Sequence, residues 1–159
     1  QVFTSTGAGL SQGFESAAGG GKILQVQTTV VTGRTGITSQ SWTDAGMSVN
    51  ITPSASSSTV LIMCYFPSYL ASHNEHQYTF YRDSTNIGDA DNGFGTDGGY
   101  GAYRNFAFFH IDSPSSTSQI TYAVYGKRLN SQGGTMYRGG PSDGADPKMN
   151  ILAMEIDGS

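Results

Sequence analysis

Nowhere in the 159 residues does an apolar period of 3.6 residues persist beyond two helical turns, which excludes an architecture built on amphipathic helices. What recurs is the strand signature, short alternating or apolar runs cut by Gly, Ser, Asp and Pro. In residues 22–31, Leu24, Val26, Thr28 and Val30 alternate with Gln25, Gln27 and Thr29, as in a half-buried strand. Residues 42–44 and 47–52 are two β-prone pieces around Ala45-Gly46, with Met47, Val49 and Ile51 on one side. Residues 59–65 are apolar at nearly every position, as expected of a central strand covered on both faces. Further strands are expected at 77–82 (Tyr78, Phe80), 105–111 (Phe106, Phe108, Phe109) and 120–127 (Ile120, Tyr122, Val124). The last is 149–156, where Leu152, Met154 and Ile156 share a face. Short strands are expected near Ile87 and at Met136-Tyr137, and 120–127 is expected to pair with 105–111 across the Ser-rich loop after Asp112-Ser113-Pro114. Eight or more short strands with very little helix imply an all-β, antiparallel, jelly-roll-like β-sandwich.

The length is that of one domain. Residues 1–21 are small and polar and end in three glycines, which suits a Gly/Ser-rich linker or collar, leaving 22–159 as the single sandwich. A hydrophobic fraction of 36%, with eight Phe and nine Tyr, is enough to fill one core. Only 13% of residues are charged, the net charge is −4, and eight Lys and Arg cannot form the basic stripe that neutralises phosphates, so nucleic acid and anionic membranes are not expected partners. No apolar run approaches the roughly 18 to 20 residues that span a bilayer and no signal-peptide pattern is present, so the chain is expected to be soluble. The single cysteine, Cys64, excludes an intrachain disulfide and a multi-cysteine zinc site; it is expected inside the central strand as a small apolar residue with a raised thiol pKa.

Motifs that would carry chemistry fail on context. Gly9-Leu10-Ser11-Gln12-Gly13 matches a nucleophile elbow but lacks the strand before it and the helix after it. The GxGxxG match from Gly93 to Gly98 also lacks that frame, and its loop is acidic. Asp89-Ala90-Asp91-Asn92-Gly93 opens like a calcium loop, yet its glycine is one position early and Tyr100 stands where a bidentate Glu is needed. An irregular calcium site on Asp89, Asp91 and Asp97 and a metal site on His73, Glu75 and His76 are the metal candidates, and His110 is expected to be a core or interface residue. No carboxylate pair suits glycoside hydrolysis, and no enzyme activity or cofactor is expected. Tyr69, Tyr100, Tyr103 and Tyr137 combine a rigid aromatic face with a polar tip in Gly/Ser surroundings, a chemistry suited to sugar or protein recognition. The Gly- and Asp-rich stretches 88–101 and 130–147 are expected to be surface loops carrying recognition. Their candidate receptor contacts are Asp91, Asn92, Phe94, Asp97, Tyr100, Tyr137 and Arg138.

Four pieces, in order, carry a resemblance: GKILQV at 21–26, ITPS at 51–54 leading through serines to Val60-Leu61-Ile62, Asp112-Ser113-Pro114 followed by Thr121-Tyr122, and ILAMEI at 151–156. Over residues 20–156 the chain resembles a domain common in structural proteins of tailed bacteriophages, especially marine ones. The resemblance implies a β-sandwich at a fibre tip or in a capsid-anchored fibre or head decoration, commonly trimeric and without catalysis. From it follows the expectation of a virion protein, a homotrimeric tail-fibre tip that binds a host-surface glycan or protein. A stand-alone carbohydrate-binding module is the alternative from another class.

Overall fold

The computed structural model describes residues 2–4, 13–15, 21–70, 74–99, 103–129, 134–139 and 147–158. Thirteen strands and no helix are found among them: β1 (Val2–Thr4), β2 (Gly13–Glu15), β3 (Ile23–Val31), β4 (Thr35–Ile37), β5 (Thr43–Ile51), β6 (Thr59–Leu70), β7 (Asn74–Arg82), β8 (Thr85–Asn86), β9 (Gly95–Gly99), β10 (Tyr103–Asp112), β11 (Ile120–Arg128), β12 (Met136–Arg138) and β13 (Met149–Ile156). Apart from the β1–β2 pair, the rest of segment 1–20 lies outside the described residues, so its expected role as a linker or collar does too.

All pairings are antiparallel. One sheet runs β3–β13–β6–β10, with the short β12 and β4 extending it beyond the end of β13; the other runs β5–β11–β7, with β8 and β9 sharing the far edge of β7. Following the chain through β3, β5, β6, β7, β9, β10, β11 and β13, it crosses between sheets at each step except β7 to β9, which is the double Greek-key winding of a jelly roll. The strand expected at 120–127 is present, but its expected pairing is not. Both edges of β11 are taken, by β5 and β7, while all ten residues of β10 pair with β6, so residues 113–119 arch from one sheet to the other.

Ala45-Gly46 does not end a strand. It forms a bulge inside β5, opposite the register shift at Val124/Tyr125, with Gly46 in the left-handed region (φ 71°). The core lies between the sheets: Met47, Val49 and Ile51 from β5, Val60, Ile62, Cys64 and Phe66 from β6, Phe80, Tyr122 and Val124 from β7 and β11, and Met149, Ile151 and Ala153 from β13. Cys64 is 6% exposed, and burial pushes its thiol pKa up, as expected of a packed residue and not of a nucleophile.

Two polar clusters fasten this winding. Glu155, on the inward side of β13, accepts hydrogen bonds from the Ser54 backbone N–H (2.7 Å) and hydroxyl (2.6 Å) and from Gln25 Nε2 (2.6 Å), so β3, the turn after β5 and the last strand meet on one carboxylate. At the other cluster, Asp112 at the end of β10 accepts the Tyr122 hydroxyl (2.7 Å) from β11 and is bridged by Arg82 Nη1 (3.0 Å) from β7, which joins the two sheets. Burial alone would raise the Glu155 pKa, but the donors from Ser54 and Gln25 together outweigh it and hold the value at about 2. A carboxyl whose folded pKa lies below its unfolded value of about 4.3 stabilises the fold fully above that value. The contribution is lost as the pH falls through the folded pKa. Equilibrium urea unfolding between pH 6 and pH 2 is therefore expected to show stability falling below about pH 4, and Glu155→Gln should be less stable at pH 6 with a flatter acid limb. An unchanged acid limb in that variant would contradict the role given to Glu155.

Candidate functional site

Within the stretch 88–101, expected as one long loop, the described residues 88–99 form a tight turn followed by a strand. Asp89 and Gly93 bridge through two backbone hydrogen bonds (2.9 and 3.3 Å), and Asp89 Oδ1 accepts the N–H groups of Asp91 (3.0 Å) and Asn92 (2.7 Å). Those two donors hold the Asp89 pKa below its ordinary value. The turn is tied down by Trp42, whose indole N–H donates to Ala90 O (2.9 Å), and by Gln77, whose amide donates to Asn92 Oδ1 (3.2 Å). Gly93 is required here: its φ is 59°, and a Cβ would come within 2.4 Å of the Tyr78 carbonyl oxygen. The GxGxxG residues are thus a turn closure running into β9, which pairs with β7.

Asp91 and Asn92 stand exposed at the turn, whereas Phe94 is half-buried, its ring 5.6 Å from Phe80, 5.7 Å from Phe108 and 5.1 Å from His110. The backbone of Asp97 lies on β9 opposite His76; its side chain, together with Tyr100 and His73, lies outside the described residues. Glu75 and His76 are successive residues of β7 and so point to opposite faces. Glu75 is exposed, and His76 is buried beside Tyr78 and Phe106. Among the described residues no three of His, Cys, Asp and Glu come together in a way that could hold a metal ion.

Arg138, expected as a receptor contact, is buried. It is 2% exposed, and its guanidinium donates to the carbonyl oxygens of Ala45 and Gly33 and to Thr35 Oγ1 (2.6 Å), while lying 3.2 Å from Met149 Sδ. The pleat explains this: in the three-residue strand β12, Met136 and Arg138 point into the sandwich and Tyr137 points out.

Outward, Tyr137 joins residues far from it in sequence. The register Tyr137↔Tyr69↔Tyr103 across β12, β6 and β10 aligns three rings, stacked at centroid separations of 6.3 and 4.8 Å, and Arg34 lies 4.4 Å over the Tyr137 ring. Tyr103, at the opposite end of the stack, is 59% exposed.

Farther along the same outer face, three rows cross four strands: Val26–Met154–Leu61–Ile111, Thr28–Leu152–Met63–Phe109 and Val30–Asn150–Tyr65–Ala107. None of these twelve residues is charged. Phe109 is 67% exposed, Val30 and Ile111 56%, Val26 47%, Tyr65 44% and Met63 40%. Met63, Tyr65, Ala107 and Leu152 line a shallow hollow in the middle of this face. The outward residues of the facing sheet include Asp44, Ser48, Asn50, Thr121 and Lys127, so the two outer surfaces differ sharply in polarity. The apolar residues of the alternations read in 22–31 and 149–156 supply this outer face, and half-buried Gln25 lies on the inner side of β3.

No protein-family model and no curated protein matches the chain. Among solved structures it is similar to a chain in the structure of infectious bursal disease virus Gx strain, with a TM-score of 0.43 and 14% identity over 85% of this chain and 37% of that one.

These placements separate structural residues from surface ones. Arg138→Ala strands buried carbonyl oxygens and is expected to cost about 3 kcal/mol in urea unfolding, while Asp91→Ala should stay within about 0.5 kcal/mol of the unaltered protein. Equal stability of the two variants would contradict the assignment.

Proposed function

We propose that the chain is a non-enzymatic structural module of a virion, a fibre-tip jelly roll that assembles as a homotrimer through the outer face of the β3–β13–β6–β10 sheet and attaches to a host-cell surface glycan or protein. The observation that carries this reading is the uncharged outer face itself. Contiguous apolar patches of more than a few hundred Å² are rare on monomers. The exposed fractions of Phe109, Ile111, Val26, Val30, Met63 and Tyr65 add to roughly 600 Å², the lower end of the roughly 600 to 1,000 Å² per partner of a stable interface. A second copy of this chain is the occupant that fits, because an equally uncharged surface matches it and the hollow at Met63 and Leu152 can take a protruding ring such as Phe109. The number three and the virion setting rest on the phage-like motifs. The jelly roll agrees with them at the level of analogy, since viral coat proteins and lectins share it. Among the described residues of the receptor set, Asp91 and Asn92 are the exposed members.

Light scattering at micromolar concentration is expected to give three times the chain mass of 16.8 kDa. Phe109→Glu should dissociate the assembly to a monomer with an unchanged far-ultraviolet circular dichroism spectrum. A 16.8 kDa monomer before substitution would overturn the assembly reading and favour the carbohydrate-binding module.

A further inference from the structure

The geometry points to a binding subsite for a neutral glycan at the open end of the tyrosine stack, built on Tyr103 and flanked by Asn105. It rests on the reading of the chain as a surface-attachment module and names the ligand chemistry and its location. The stack is closed at one end and open at the other. Arg34 covers the Tyr137 ring, Tyr137 and Tyr69 cover each other, and Tyr69 covers one face of Tyr103. Tyr103 sits on β10, which pairs only with β6 among the described strands; the residue is 59% exposed, and among the described residues no second ring stacks on its other face. That ring is held by its neighbour, so a ligand that stacks on it does not have to immobilise it.

The groups around the ring match the two-sided chemistry of a pyranose, an apolar face of C–H groups with hydroxyls at the rim. Two residues along β10, Asn105 Oδ1 accepts the Tyr65 hydroxyl at 3.4 Å, which orients the Asn105 amide and leaves its N–H groups to meet sugar hydroxyls. The edge of β10 away from β6 adds backbone N–H and C=O groups beside the same ring. No carboxylate belongs to this set, and the net charge of −4 disfavours nucleic acid, the other ligand class that stacks on aromatic rings. Tyr103 itself lies outside the apolar rows, and Asn105 meets them only at their margin, through Tyr65. Tyr69 is four residues along β6 from the Tyr65 row, about 13 Å at the usual rise per residue, so the stack stands at the margin of the apolar rows.

The test uses the native assembly with three defined neutral probes: hexamers of β-1,4-linked glucose, α-1,4-linked glucose and β-1,4-linked N-acetylglucosamine. Saturation-transfer NMR is expected to show binding of at least one. Titration of that probe should show affinity reduced at least about tenfold by Tyr103→Ala and largely kept by Tyr103→Phe, with the mass by light scattering unchanged in both. Absence of binding by all three probes would overturn the subsite while leaving the assembly reading intact. Binding that survives Tyr103→Ala would place glycan recognition elsewhere on the chain. Loss of the assembly in Tyr103→Ala would make the stack a subunit contact, which also overturns the proposal.

Discussion

The pleat of β6 is the constraint on which the other features depend. Its twelve residues alternate strictly, sending Val60, Ile62, Cys64, Phe66, Ser68 and Leu70 inward and Leu61, Met63, Tyr65, Pro67 and Tyr69 outward. β13 and β12 share one of its edges and β10 takes the other, so the register of β6 sets the facing of every residue in that sheet. A slip of one residue would exchange the core for the outer face along its whole length. The two sides are nearly equal in hydrophobicity, and pattern alone therefore does not forbid the slip. The polar clusters do: Glu155 on β13 meets Ser54 and Gln25, and Asp112 on β10 meets Tyr122 and Arg82, in this register only.

This explains what the motif pieces do. Gln25 of GKILQV, Ser54 of ITPS and Glu155 of ILAMEI converge on one carboxylate, and Asp112 of the DSP turn is the acceptor for Tyr122. The spaced motifs that carry the phage resemblance supply hydrogen-bond partners that fix the fold; Val26, Leu61, Leu152 and Met154 within them also belong to the apolar rows, and none of their residues belongs to the tyrosine stack.

Strand positions and the sandwich class were legible because alternation and turn residues are local signals. The facing of β3 and β13 was not, because a period of two is identical whether the apolar set points into the core or onto an outer surface. Residues 59–65 show the same ambiguity: one apolar face packs in the core and the other is the exposed centre of the outer surface. The partner of β11 was hidden because a Ser-rich loop can close a hairpin or arch between sheets, and the choice is made by β5 and β7. At the candidate site, Tyr69, Tyr103 and Tyr137 carried a legible composition signal, but their alignment and the capping by Arg34 come from register between distant strands. Arg138 misled because its neighbours are Gly-rich, whereas the alternation Met136, Tyr137, Arg138 already assigns it to the side of Met136.

An apolar core and an apolar outer surface on one sheet, facing a sheet with a polar exterior, make burial of the first sheet in an assembly the central claim. Hydroxyl-radical footprinting of the native protein tests it side chain by side chain. Met63, Met154 and Phe109 should be protected, while Tyr81 and Tyr125, a stacked pair on the outer face of the other sheet, are modified. Modification of Met63 and Phe109 at the rate found in the unfolded chain would contradict the account.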